Sequence, residues 1–267
     1  MRINGRPGDH QLAFREARVH IGTSGWSYDH WTGPFYPPGL PARDRLAYYA
    51  RRLASAEINA SFYRLPSPQT LEGWQRSVPD GFVFAVKASR YITHLKKLKD
   101  PREGLDRLLD RMRLLGDRLG PVLFQLPPHW HFDQGRLGQF LAELPSSGAP
   151  AMRFVFELRD RTWLNDEALD LLERARAAFC IYELDGFLSP RSVTADFVYV
   201  RLHGPDGPYR GSYDHLALSA WAARCAAWLR EGLDVYCYFD NDEAGYAASN
   251  ALALRRMLEP GGAASDS

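Results

Sequence analysis

The chain has 267 residues, 45% of them apolar and 24% charged, proportions that exclude a disordered, collagenous or coiled-coil protein and leave one large domain or two small ones. With 33 basic against 32 acidic residues the net charge is +1, so no global field draws the chain to nucleic acid or to an anionic membrane, and any such attraction is local. Lysine occurs at only four positions, Lys87, Lys96, Lys97 and Lys99, all within one short segment; the remaining basic residues are arginines.

In chain order, residues 1–18 read as a loose N-terminal extension without the apolar stretch of a signal peptide. Eight β-rich runs follow, at 20–24, 57–62, 82–87, 122–126, 154–159, 179–183, 197–203 and 235–240. Segments of helical period separate them, as in Leu105, Leu108, Leu109, Met112 and Leu115, or Leu169, Leu171, Leu172 and Ala175. The exception is 184–195, which has room only for a turn or a very short helix. Alternating strands and helices predict a parallel sheet covered by helices, and eight units over residues 19–258 predict a single (β/α)8 barrel. An open doubly wound sheet is the alternative, disfavoured because no GxGxxG follows the first strand. Residues 259–267 read as a disordered tail of small polar residues. Cys180, Cys225 and Cys237 lack zinc-site spacing and read as buried thiols of a reducing compartment; with no apolar membrane span, a cytoplasmic protein is expected.

The two-residue period of strands divides each run into faces. Ile58, Ala60 and Phe62, then Phe82, Phe84 and Val86, Phe124 and Leu126, Val198, Val200 and Leu202, and Val235, Cys237 and Phe239 should face the helices. The alternate positions point into the barrel and turn polar towards the strand C-termini: Glu57, Asn59 and Ser61; Lys87; Gln125; Glu157 and Arg159; Arg201 and His203; Tyr236, Tyr238 and Asp240. Burying unpaired charge costs several kcal/mol per group, so such a set is either a closed salt-bridge network or a working pocket, and the C-terminal strand ends are where barrels keep their active sites.

The same positions carry a resemblance. Residues 21–28 (IGTSGWSY) with Trp31, Gly33 and Phe35-Tyr36-Pro37 resemble the opening motif of the YecE-like family, a domain of unknown function. The similarity continues through Glu57-Ile58-Asn59, Lys87, Gln125-Leu126-Pro127-Pro128, Glu157-Leu158-Arg159 with Trp163, residues 199–204 and residues 236–242, to about residue 258. The resemblance implies a TIM-type barrel and no particular reaction. Asp240 departs from the family's pattern, in which asparagine is usual, and adds a negative charge.

Lys87, Arg159 and Arg201 suggest an anionic ligand, phosphate or carboxylate, and Arg90, His94, Lys96, Lys97, Lys99 and Arg102 would line the rim above it. Asn59, Gln125, Tyr238 and Asn241 are further candidate ligand contacts, with Trp26, Tyr28 and Trp163 as stacking surfaces or as packing that caps the barrel mouth. For proton transfer the candidates are Glu57, Glu157, His203 and Asp240; Glu157 beside two arginines would serve equally as an ionised anchor. A glycosidase is disfavoured because strands four and seven end in Gln125 and His203. No cofactor is evident and no metal ligands are assigned, although a single divalent ion on Glu57, Glu157, His203 or Asp240 stays open. Gly204, Gly245, Ala247, Ala248 and Ser249 mark either a second phosphate site or tight helix packing. The leading expectation is an enzyme or binder of a small anionic, phosphorylated or sugar-like metabolite, with hydrolysis, isomerisation or elimination as its chemistry. A nucleic-acid binder or nuclease using the basic loop is the alternative, and a non-catalytic scaffold the second; oligomeric state is not legible.

Overall fold

The computed structural model describes residues 16–144 and 152–259. Of the expected extension and tail, all but residues 16–18 and 259 lie outside the described residues. Eight strands run parallel around one closed barrel: β1 (Val19–Ser24), β2 (Ser55–Ile58), β3 (Val83–Lys87), β4 (Leu119–Gln125), β5 (Phe154–Glu157), β6 (Ala178–Leu184), β7 (Phe197–Leu202) and β8 (Asp234–Phe239). Sequential neighbours pair throughout, and the ring closes where β8 meets β1, from Val19↔Val235 to Thr23↔Phe239. Around it lie α1 (Arg45–Ala50), α2 (Ala60–Tyr63), α3 (Pro68–Ser77), α4 (Arg102–Met112), α5 (Gln134–Glu143), α6 (Asp166–Arg174), α7 (His215–Arg230) and α8 (Tyr246–Leu258).

Local chemistry sets where these elements begin. Ser67, Asp133, Asn165 and Asp214 each cap a helix, their side chains accepting from the backbone N–H three residues on. In α4, Leu105, Leu108, Leu109 and Met112 are buried at the predicted helical spacing. The outward strand positions Phe84, Val86, Phe124, Val198, Val200, Val235, Cys237 and Phe239 pack under the helices, as the alternation predicts. The inward positions form a separate core of Ala85, Leu123, Val155, Cys180, Tyr199, Tyr236 and Tyr238. All three cysteines are buried and free, and burial pushes their thiols up.

Two elements differ from expectation. The second strand ends at Ile58 rather than running to residue 62, because the chain turns at Asn59 into α2. Ser61 Oγ fixes that turn by donating to Lys87 O (2.6 Å), so Ala60 and Phe62 leave the sheet and Phe62 comes to lie under Lys87. After β6, where a turn or a very short helix is expected, the turn carries a short strand of its own: Phe187–Leu188 pairs back antiparallel on Glu183 and Leu184, across Asp185 (φ 51°) and Gly186 (φ 72°), the successive positive φ values of a tight hairpin turn.

Strand β1 approaches β2 closely at Gly22, where a Cβ would stand 2.0 Å from Ser55 O. Gly22→Ala is therefore expected to force the two strands apart at a cost of about 1–3 kcal/mol, read as a melting temperature lower by several degrees. An unchanged melting curve would contradict the close approach.

Candidate functional site

Strand alternation brings six charged side chains and one histidine to the C-terminal end of the barrel interior. Position 201 lies two residues above Tyr199 and two below His203 on the inward face of β7 and its end, and Glu57, Glu157 and Asp240 come from β2, β5 and the end of β8. Arg201, Glu57, Glu157 and His203 are all fully buried.

Arg201 is the hub. Its Nε and Nη2 donate to the two oxygens of Glu57 (3.1 and 2.7 Å). Nη2 also donates to Asp240 Oδ2 (2.9 Å) and Ser24 Oγ (2.8 Å), and Nη1 to Glu157 Oε2 (2.8 Å). Tyr199 donates its hydroxyl proton to Glu57 Oε2 (2.6 Å), Ser24 donates to Glu57 Oε1, and Asn59 Nδ2 donates to Ser24 Oγ (2.9 Å). His203 stands between two acids, with Nε2 3.2 Å from Glu157 Oε1 and Nδ1 3.0 Å from Asp240 Oδ2. Burial opposes ionisation of Glu157, but the guanidiniums of Arg159 and Arg201 hold its pKa well below the usual carboxylate range. Burial likewise opposes ionisation of Asp240, yet Arg201, His203 and Lys87 bring its pKa down to about 2. Both are ionised anchors, the role Arg neighbours impose on a carboxylate.

The two remaining cations differ from Arg201. Arg159 is ion-paired with Glu157 through Nε, without a hydrogen bond there, and shares a contact between Nη2 and His203 Nε2 (3.1 Å), while its Nη1 also makes no hydrogen bond among the described residues. Lys87 Nζ makes no hydrogen bond or ion pair among the described residues; it lies 4.6 Å from the centre of the Phe62 ring. Burial and then the charge of Arg201 lower the Lys87 pKa. Burial also lowers that of His94, which lies in the fields of Lys87, Arg90 and Arg159. The carboxylates are thus taken up by Arg201, with Glu157 shared with Arg159, while Lys87 Nζ and Arg159 Nη1 keep unfilled donors.

The other sequence candidates distribute around this cluster. Tyr28 reaches the mouth, its hydroxyl donating to Ser24 O (2.6 Å) in the fields of Asp240 and Asp242. Gln125 lies in register with Glu157 on the neighbouring strand. Tyr238 sits lower in the barrel, its hydroxyl 2.6 Å from Ser55 Oγ. Asn241 ties the 211–213 loop to α8 by donating to Gly211 O and Asn250 Oδ1. Trp163 is fully buried against Trp130 and Phe132. Trp26 packs on Trp74 and Phe84 and, with Tyr28, Asn59 and Leu46, lines a cavity of about 390 Å³ flanking the mouth. Trp31 is a packed plug whose Nε1 donates to Asp242 O (2.9 Å). Gly245 lies against Pro34, with Ala247 and Ala248 buried behind it, so the small residues at the start of α8 serve packing. Of the basic loop, Arg90 and His94 adjoin Lys87, whereas Lys97 and Lys99 are exposed beyond it. Ser24 and Tyr199 belong to the cluster although sequence reasoning did not single them out; each lies on the inward face of its strand, Tyr199 two positions before Arg201.

Among the described residues no group of three or more His, Cys, Asp or Glu side chains is arranged to hold a metal ion, and none of the helices is long and apolar enough to cross a membrane. A larger cavity of about 930 Å³ lies at the opposite end of the barrel. There Arg153 is paired with Asp234 (2.6 Å) and Asp196 (3.8 Å), a balanced arrangement at the barrel face associated with stability.

Comparison with known proteins places these features in a family. A family model described as "Protein of unknown function DUF72" matches residues 20–266. The UPF0759 protein YunF of Bacillus subtilis is 25% identical over 272 residues, covering 90% of this chain and 95% of that protein. The UPF0759 protein YecE of Escherichia coli K12 is 30% identical over 131 residues, 46% of each chain. The crystal structure of a DUF72 family protein from Thermotoga maritima MSB8 superposes with a TM-score of 0.81 at 28% identity, covering 91% of this chain and all of that one.

Removing the hub leaves Glu57, Glu157 and Asp240 without their shared counter-charge. Arg201→Ala is expected to cost about 3–5 kcal/mol in denaturant unfolding, whereas Lys87→Met, which removes a desolvated cation without a partner, should leave stability unchanged or raised. Equal effects of the two would contradict the division of roles. Glu157 and Asp240 titrate lower in the folded than in the unfolded chain. The stability they contribute is therefore complete above about pH 5 and is lost as pH falls through their folded values towards roughly pH 2. The denaturant midpoint should fall over that interval, less steeply in Asp240→Asn, and an identical slope in that variant would contradict the assignment.

Proposed function

The chain belongs to the DUF72 family, whose description assigns no reaction, and from that premise we propose that it binds a small anionic metabolite at the C-terminal mouth of the barrel and moves a proton on it. The observation that carries this reading is the orientation of the donors. Arg201 is committed to three carboxylates, while Lys87 Nζ and Arg159 Nη1 make no hydrogen bond among the described residues. An incoming carboxylate or phosphate supplies the acceptors these donors lack, a guanidinium edge and an ammonium being a pairing that recurs in anion sites.

His203 is the proton-handling group in this reading: its Nε2 is shared between Glu157 and the guanidinium of Arg159, and its buried Nδ1, 3.0 Å from Asp240 Oδ2, makes no hydrogen bond among the described residues. A ring held at one nitrogen with the other unfilled has an atom at which a proton can be taken up or given. Glu57 neutralises Arg201 and holds Ser24 and Tyr199, so its part is positioning. With Glu157 and Asp240 held ionised, hydrolysis by a protonated carboxyl group at either position is a poor fit, and isomerisation or elimination the better one.

A second reading, a single-stranded nucleic acid laid across the same mouth, is favoured by Tyr63 (74% exposed) and Tyr91 (48% exposed), with Lys96 Nζ 5.7 Å from the Tyr91 ring. Exposed aromatics beside cations are stacking surfaces for bases.

Thermal-shift and calorimetric titration with inorganic phosphate and a panel of anionic metabolites separates the two. A small anion should bind, with Lys87→Met or Arg159→Met weakening it at least about tenfold, or about 1.4 kcal/mol. Failure of every small anion, or binding indifferent to both substitutions, would contradict the proposal. An oligonucleotide that binds with steep salt dependence while the small anions do not would establish the second reading in its place.

A further inference from the structure

Of the four lysines, Lys87 is the one that ends a barrel strand. It ends β3 at the barrel mouth, stands over the face of Phe62, and makes no hydrogen bond or ion pair among the described residues. Its cationic neighbour Arg201 disfavours an ammonium there, against the opposing fields of Asp240, Glu57 and Glu157, whose carboxylates are paired with Arg201. A lysine placed on an apolar surface next to another cation is the arrangement that makes an amine nucleophilic, because both influences favour the neutral form. Lys97 and Lys99 are exposed, and Lys96 is half-buried on the loop that follows β3.

We infer that Lys87 is a catalytic nucleophile that forms an imine with the carbonyl carbon of a small oxo acid, while Arg159 Nη1 holds the acid group. This rests on the anion reading above and narrows it to a substrate class, an aldehyde or ketone carrying a carboxylate or phosphate. In the step, the Nζ lone pair forms the new bond to the carbonyl carbon and the C=O π pair moves to oxygen. That oxygen takes up two protons, one from the nitrogen and one from solvent, and leaves as water. The nitrogen keeps its other proton, and the iminium draws electron density from the adjacent C–H or C–C bond, which is what isomerisation or elimination next to a carbonyl needs. The proton taken from solvent leaves the iminium with a positive charge that the neutral amine lacked, so the acid group gains a counter-charge at Lys87 beside that of Arg159.

Borohydride trapping tests this directly. The full chain is incubated with pyruvate, glyoxylate or dihydroxyacetone phosphate and reduced, hydride adding to the iminium carbon to leave a stable secondary amine on lysine. Peptide mass mapping should place the adduct on Lys87 in at least about tenfold excess over Lys96, Lys97 and Lys99, which serve as internal controls. Lys87→Arg, which keeps the cation and cannot form an imine, should lose the adduct. No Lys87 adduct with any of the three compounds, or an adduct spread evenly over the four lysines, would overturn the inference. Inorganic phosphate distinguishes the two levels: if it binds wild type and Lys87→Arg alike and no adduct forms, the imine fails and the anion site stands. If phosphate binds neither protein, the anion reading itself has failed.

Discussion

A guanidinium fully enclosed by a β-barrel has to be neutralised within the barrel, and much of the upper interior of this protein follows from that requirement. Arg201 reaches Glu57 with two donors, Glu157 with another and Asp240 with the remaining reach of Nη2. Those acids in turn fix Tyr199, Ser24 and His203. A buried ion network of this kind is weak evidence of stabilisation, since apolar residues of similar volume commonly do as well, while loss of one partner is costly. Its consequence here is order: the side chains around the mouth have one arrangement because each answers to the same buried charge.

Below the network the interior is packed in the ordinary way. Tyr236 lies over Tyr199 at 6.2 Å between ring centres, Tyr199 and Tyr238 are 5.2 Å apart, and Cys180, Leu123 and Val155 fill the remaining space. The tyrosine hydroxyls bridge the two regions, Tyr199 ending on Glu57 and Tyr238 on Ser55. Above that apolar floor lies the charged layer, with half-buried Lys87 at the end of β3 and Tyr28 lining the Trp26 cavity. Function in this reading comes from what the hub does not use.

The barrel was legible because strand alternation writes faces directly into the sequence: Glu57, Glu157, Arg201, His203 and Asp240 were assigned inward and meet there. Depth and allocation were not legible. Arg201 reads as a ligand contact until its donors are seen to be filled, and Tyr238 until it is found a layer lower, because periodicity gives the face of a strand and not the height of a side chain along the barrel axis. Phe62 was assigned to a strand face because a short apolar run looks alike in a strand and in a single helical turn; the turn at Asn59 delivers it to Lys87. Asn241 and Trp163 lie in loops, where sequence spacing carries no direction. Of the four clustered lysines, Lys87 ends β3 with Arg90 and His94 nearby, while Lys97 and Lys99 are exposed on the following loop.

The central claim is that the network presents unfilled donors outward at one end of the barrel. A crystal structure of the protein soaked with inorganic phosphate tests it most directly. The account predicts density bridging Lys87 Nζ and Arg159 Nη1, with the contacts of Arg201 to Glu57, Glu157 and Asp240 unchanged. Phosphate bound instead at the opposite end, among Arg18, Arg153 and Arg176, or drawn in by an Arg201 that releases its carboxylates, would contradict it.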